Sequence, residues 1–345
     1  MMQALVLTDY KNLQMQEVPK PTLLSPTQVL VRIKAASICG SDVHGYDGST
    51  GRRRPPITMG HEGSGIIEEA GSLVTNFKVG DRVTFDSTIY CGTCSFCKQG
   101  LFNLCDNRRV LGVSCADYHQ DGIFAEYALI EERVLFHLPE GLSFEEAAMA
   151  EPAGVAAHAI SLASPKLGED VAVVGAGLIG LLVIKLLRTM TSGTIIAIEM
   201  DEQRREKALQ IGSDVVLDPR DPELIAKIRA LTKGEMLPLV YEAVGASSPI
   251  NTAISLVRKG GTVVLVGNIT PTIELPLQSV VTRQIRLQGS CAINGEYPAV
   301  LKMMADKKLD VTDLISKVAP LNEGKIWFDK LYNREDNLLK VVLVP

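Results

Sequence analysis

No uninterrupted apolar run of membrane-spanning length occurs in these 345 residues; the longest, near 171–187, is broken by Gly175, Gly177, Gly180 and Lys185. The N-terminal stretch MMQALVLTDYKNLQMQ carries polar and charged residues where a secretory signal needs an apolar core. An excess of positive charge is also lacking. Lys and Arg total 35 against 40 Asp and Glu, a net charge of −5, which argues against nucleic acid or an anionic membrane as partner. Internal repeats, low-complexity tracts and flexible linkers are absent as well. A chain 46% hydrophobic and 22% charged has the balance of a soluble globular protein, and its length suits two ordinary domains. The expected compartment is a reducing cytoplasm, where clustered cysteines bind metal more often than they form disulfides.

Cysteines are clustered here. Cys91, Cys94, Cys97 and Cys105 fall within CGTCSFCKQGLFNLC, spaced C-x2-C-x2-C-x7-C. Tetrahedral zinc accepts four thiolates at ~2.3 Å, and C-x2-C turns place sulfurs in pairs beside an ion. A cluster-binding segment would run C-x2-C-x2-C-x3-C-P, whereas here the last gap is longer and Asp106 follows. A closed four-cysteine zinc site is therefore favoured over an iron–sulfur cluster or free thiols. With four protein ligands it leaves no open position, so its role is structural.

A second set offers chemistry. SICGSDVHGYDG, ITMGHEGSG and AMAEPAGVAAH contain Cys39, His61 and Glu151. Taken singly, a cysteine is a small hydrophobe, a histidine a hydrogen-bonded core or surface group, and a glutamate before proline a helix start. Together, one thiolate, one imidazole and one carboxylate make a three-ligand zinc site with a fourth position open to substrate.

A third component is VAVVGAGLIG. The apolar run Val171 to Val174 meets G-x-G-x-x-G at Gly175, Gly177 and Gly180, with Leu178 and Ile179 opening a helix. Glu199 follows the apolar run TIIAI. This is a dinucleotide fingerprint: Gly175 for the tight turn, Gly177 for the pyrophosphate, Gly180 for helix–strand packing. Glu199 is placed to accept hydrogen bonds from ribose hydroxyls and to repel a 2′-phosphate, so NAD is expected rather than NADP. From Val171 onward six strand candidates (VAVV, TIIAI, DVVL, PLVYEA, GGTVVLVG, QIRLQG) alternate with helices or connections, the tally of a doubly wound domain. Before residue 150 the segments are short, β-rich and turn-rich, as in a barrel-type domain.

The chain resembles the zinc-dependent medium-chain dehydrogenase/reductase family, nearer its sorbitol, threonine and polyol dehydrogenase branch. The resemblance spans essentially the whole length. It rests on CGSDVH (39–44), GHEGSG (60–65), GDRV (80–83), the four-cysteine lobe, FAEY (124–127), EP (151–152), GAGLIG (175–180) and Glu199 with Arg204. It implies an α/β two-domain fold. A GroES-like β-barrel catalytic domain would span 1–150 and 291–345, with the zinc lobe at 91–105. A six-stranded Rossmann NAD-binding domain would span 151–290. It also implies a catalytic zinc on Cys39, His61 and Glu151, with Glu62 beside it or exchanging onto it. Arg204 would pack at the adenine–ribose end of NAD, and Val266, Gly267, Asn268, Ser290, Cys291 and Ala292 would line the nicotinamide side. The assembly implied is a homodimer or homotetramer.

The chemistry expected is hydride transfer between a secondary alcohol or polyol and NAD, with two zincs per chain. Ser41, two residues after Cys39, and His44 are candidates to relay the proton, against a turn cap and an exposed ring. Three departures limit the resemblance, the first two bearing on substrate and the third on the turn before FAEY. Ala292-Ile293 stands where sorbitol-type enzymes carry Arg-Tyr, Gly45 stands where they carry Tyr (Tyr46 lies one place later), and Gly122-Ile123 replaces Gly-Gly. Arg52, Arg53 and Arg54 in GSTGRRRPP are candidates to hold a phosphate or carboxylate of an anionic polyol, against a solvated loop. Cys115, Cys291, His119, His137 and His158 have no functional pairing. The alternatives are a threonine-type or general secondary alcohol dehydrogenase, a zinc enzyme using NAD without net redox, a zinc-free reductase of the same superfamily, and a non-catalytic NAD-binding sensor. The zinc-free reductase would lack both cysteine-containing sets.

Overall fold

The strand Gln28–Ser37 organises the N-terminal part of the chain. One edge pairs antiparallel with Glu62–Ala70, and the other is shared between Tyr127–Glu131 and the C-terminal strand Val341–Val344. Arg82–Phe85 and Leu135–His137 extend the sheet on one side, and Lys317–Pro320 on the other, giving seven strands. Met2–Asp9, Asn12–Val18 and Ile57–Thr58 form a smaller sheet. Phe85, Phe124, Phe328 and Tyr46 are buried in the core between these pieces, each removing from water an area that stabilises by about 1.5–3 kcal/mol. Ile123 is in the same core. This computed structural model describes residues 1–345 and divides them into two compact units, Met1–Glu151 with Ile293–Pro345, and Pro152–Ala292.

The second unit holds six parallel strands. In space the order runs Val215–Leu217, Ile195–Ile198, Val171–Val174, Leu237–Glu242, Val257–Leu265, Arg286–Gly289. Every residue of Val171–Val174 and Ile195–Ile198 is buried, as expected for strands covered on both faces. Strand order reverses beside Val171–Val174, and in such sheets the crevice beyond the strand ends at that switch point takes the ligand. The doubly wound sheet expected from the alternating pattern is thus present. Helices follow the anticipated segments at Leu178–Arg188, Glu202–Ile211, Leu224–Leu231 and Ser247–Leu256.

Candidate functional site

Sheet register brings the first set of residues together. Ser37 pairs with Glu62 across the strands Gln28–Ser37 and Glu62–Ala70. Cys39 lies two residues beyond one partner and His61 one residue before the other. The ligand atoms of Cys39, His61 and Glu62 all lie within 4.8 Å of one another. Cys39 is the N-cap of the short helix Gly40–Gly45. Its Sγ accepts from the Ser41 N–H at 3.4 Å and the Ser41 hydroxyl at 3.3 Å.

The two carboxylates are held differently. Glu62 Oε2 accepts from Lys340 Nζ at 2.6 Å and from Ser37 Oγ, all buried. Burial pulls the Lys340 ammonium down, but Glu62 and Cys39 outweigh it and keep it charged. Glu151, in the first turn of the helix Ala150–Leu162, accepts from Ser87 Oγ at 2.9 Å. Burial pushes its carboxyl up to about 7; Glu62 and Asp86 add to this and His61 opposes it. The sequence pointed to Glu151 as the ligand and Glu62 as its neighbour. The structure groups Glu62 with Cys39 and His61 and seats Glu151 against Ser87.

The residues suit a divalent cation. His61 is buried and faces Asp42 through Nδ1, 3.4 Å from Oδ1, which leaves Nε2 as the ring nitrogen for a metal. Burial lowers the His61 pKa, but Asp42 and Cys39 raise it well above the ordinary value, a field that calls for positive charge. A thiol, an imidazole and carboxylates are the donor types zinc takes in open sites.

The four cysteines of the lobe also converge, their sulfurs within 4.8 Å of one another, with no disulfide. The Thr93 hydroxyl and N–H and the Cys94 N–H point at Cys91 Sγ and hold its thiol down to about 5. Burial pushes Cys97 up to about 12. A bound zinc keeps all four as thiolates, so the set fits a closed structural site.

In the second unit the glycine turn sits at the switch point. Gly175 adopts φ +92°, and a Cβ on Gly180 would lie 1.8 Å from Gly175 O, so helix and turn pack backbone to backbone. A Cβ on Gly177 would meet nothing within 4 Å, which leaves room for a ligand beside it. Gly177 caps the helix Leu178–Arg188 without a side-chain bond, so the first helical N–H groups are free to face phosphate. Glu199 Oε2 accepts from the Ala176 N–H at 2.7 Å, which places the acid against the same turn.

Comparison with known proteins decides the family. Residues 25–140 match the alcohol dehydrogenase GroES-like domain and residues 179–306 the zinc-binding dehydrogenase domain. A sorbitol dehydrogenase of Halalkalibacterium halodurans is 35% identical over 353 residues, covering 100% of this chain and 99% of its own. The chain belongs to the zinc-dependent medium-chain dehydrogenase/reductase family. A D-arabitol-phosphate dehydrogenase of Enterococcus avium is 33% identical over 321 residues, covering 92% of this chain and 89% of its own. A zinc-binding dehydrogenase from Sinorhizobium meliloti, solved with NADP, superposes with a TM-score of 0.91 at 30% identity, covering 100% and 99% of the two chains.

Against that family frame, several expected residues take definite places. Ser41 is exposed beside Cys39. His44 is exposed as well. Tyr46 does not replace the missing sorbitol-type tyrosine: it is buried and donates to Lys11 O and Asp329 Oδ1. Arg53 is a correction. Far from being free to grip an anion, it is 3% exposed and donates to Asp42 Oδ1 from Nε at 3.1 Å and Nη2 at 2.8 Å. Arg52 and Arg54 on either side are exposed.

On the cofactor unit, Val266 and Gly267 donate their N–H groups to Glu242 O, and a Cβ on Gly267 would lie 2.2 Å from Gly245 N. Ser290 bonds Leu265 O through its backbone, its hydroxyl has no partner, and Ala292 has φ +53°. Cys291 is half-buried and Asn268 is exposed. Arg204 lies in the first turn of the helix Glu202–Ile211, its N–H donating to the capping Asp201. Motif reading missed Arg205, which donates to the carbonyls of Glu199 and Met200, and Glu242, whose carboxylate takes the Val244 and Gly245 N–H groups. It also missed Asp42, Ser37, Ser87 and Lys340. A lysine opening the apolar strand end KVVLVP was the available signal, since a buried ammonium needs an acid partner.

Proposed function

We propose that this dehydrogenase oxidises a secondary hydroxyl of a polyol, with NAD as acceptor, at the centre formed by Cys39, His61 and the neighbouring carboxylates. The observation that carries this reading is the convergence of Cys39, His61 and Glu62 in a chain whose other unit presents a dinucleotide turn. When bound, zinc supplies Lewis-acid polarisation of the hydroxyl and NAD supplies the hydride acceptor. Cys39 and His61 would hold the metal, with Glu62 or Glu151 as the carboxylate ligand. Lys340 and Ser37 fix Glu62, and Ser87 fixes Glu151. Ser41 Oγ, exposed and 3.3 Å from Cys39 Sγ, takes the hydroxyl proton toward solvent, and His44 lies one helical turn on.

Glu199 favours NAD over NADP by accepting ribose hydroxyls and repelling a 2′-phosphate. Sorbitol itself is disfavoured because Ala292 and Ile293 offer no polar group where sorbitol-type enzymes carry Arg and Tyr. A phosphorylated polyol is the second reading, supported by the exposed Arg52 and Arg54 and by the likeness to an arabitol-phosphate enzyme. NADH formation against free polyols, polyol phosphates, secondary alcohols and 3-hydroxy amino acids tests both. Turnover restricted to 3-hydroxy amino acids would overturn the polyol assignment. If the substrate is phosphorylated, Arg52→Ala with Arg54→Ala raises its KM and leaves a free polyol unaffected.

A homo-oligomer fits the open edge of Arg286–Gly289, flanked by the exposed Leu277 (64%) and Val281 (67%). No helix is long and apolar enough to cross a membrane, and all seven cysteines are free, which suits a reducing cytoplasm. Sedimentation of the purified protein decides between dimer and tetramer.

A further inference from the structure

We propose that Arg53 is a positioning residue of the metal centre, acting through Asp42 and seated by Gly45. The proposal rests on the reading of Cys39 and His61 as metal ligands. Asp42 is fully buried and faces both: Oδ2 accepts the Cys39 N–H at 3.3 Å, and Oδ1 lies 3.4 Å from His61 Nδ1. One carboxylate therefore sets the backbone of one ligand and the ring of the other. A ligating imidazole depends on such a partner for its orientation, and losing the partner costs metal affinity by about 10–100-fold.

Arg53 in turn fixes Asp42. Its Nε and Nη2 close as a fork on Oδ1, and Nη2 also reaches Ser41 Oγ at 3.4 Å. Two donors of one rigid plane converging on Oδ1 fix where that oxygen sits, which a single ammonium on a flexible stem does not. Without it Asp42 keeps two neighbours, the Cys39 N–H and the His61 ring, and is free to turn from one toward the other. The loop carrying Arg53 is anchored separately: Arg54 N–H bonds Ser114 O at 3.0 Å and Ser114 N–H bonds Arg52 O at 3.2 Å. Loss of the guanidinium therefore changes what holds Asp42 while the loop stays in place. Gly45 supplies the seat, since a Cβ there would lie 2.3 Å from Arg53 Cγ. A larger side chain at position 45 would displace the Arg53 stem from this seat.

The test compares the zinc-loaded full chain with Arg53→Met, Arg53→Lys and Gly45→Ala. Zinc per chain is followed during dialysis against a weak chelator, with the four-cysteine lobe as internal standard. Cobalt(II) spectra of the substituted centre and the kcat and KM of NADH formation accompany it. Wild type holds two zincs. Arg53→Met loses the second one about 10–100-fold more readily, keeps the lobe zinc and shifts the cobalt spectrum. Lysine, lacking the fork, restores part of the retention, and Gly45→Ala weakens retention although it touches no ligand. Should Arg53→Met fail to fold, the Lys and Gly45→Ala variants carry the test. Variants that release zinc at the wild-type rate with an unchanged cobalt spectrum would overturn the proposal, even if they are less stable. A wild-type chain holding only the lobe zinc would instead overturn the metal-centre reading on which it rests.

Discussion

Replacing Lys340 by Met should destabilise the first unit severely, and the structure gives the size of the effect. The Lys340 side chain is 1% exposed, and its Nζ donates to Glu62 Oε2 at 2.6 Å and to Ile38 O at 3.0 Å. Methionine fills the aliphatic volume but leaves Glu62, also 1% exposed, with Ser37 as its remaining donor. Removing one partner of a buried ion pair costs about 3–5 kcal/mol, because the other charge stays buried and unpaired. Removing both is far milder, so Lys340→Met with Glu62→Gln should lie within about 1–2 kcal/mol of wild type. The chain's single tryptophan, Trp327, packs on the core of the same unit, so its fluorescence in urea follows that unit. A two-unit chain need not unfold in one step, so a local probe is preferable to a global one. A double-mutant cycle on the Trp327 midpoint then isolates the pair. A single variant within about 1 kcal/mol of wild type, or a double variant as unstable as the single, would refute the reasoning.

Three further outcomes are expected. Cys105→Ser should lower zinc content by one equivalent and depress the thermal midpoint, checked by atomic absorption and calorimetry; undiminished zinc would show that the lobe does not need its fourth thiol. Gly180→Ala places a methyl where 1.8 Å separates it from Gly175 O, so it should cost about 1–3 kcal/mol and weaken NAD binding in a fluorescence titration. Burial raises the Glu242 pKa against the bonds from Gly245 and Val244. The stability contributed by its neutral form is full below the unfolded value of 4.5 and is lost as pH rises through the folded value. Glu242→Gln keeps the acceptor and removes the charge, so its advantage over wild type in urea should widen as pH rises above the unfolded value of 4.5; parallel pH profiles would contradict this.

What could be read from the sequence was local. The glycine turn, the six strand segments and the four-cysteine spacing each lie within one short stretch, and their periodicity or spacing carries the physics. What could not be read joins distant positions. Lys340 meets Glu62 across 278 residues of chain, and Ser87 meets Glu151 across 64. Which carboxylate approaches Cys39 and His61 depends on those partners. Arg53 shows a subtler failure. In composition GRRRPP reads as a solvated basic loop. The segment is extended, however, bridged to Ser114, and alternate side chains of an extended chain point to opposite faces. Arg52 and Arg54 face out and Arg53 faces in, toward a buried aspartate that no spacing rule connects to it.

The most direct test of the account is NADH formation from NAD and a polyol by the zinc-loaded protein, alongside Cys39→Ser with its zinc counted. The account predicts turnover in the wild type and loss of both turnover and one zinc in the variant, with the lobe zinc retained. Equal turnover by the two proteins, or product formed without NADH, would contradict it.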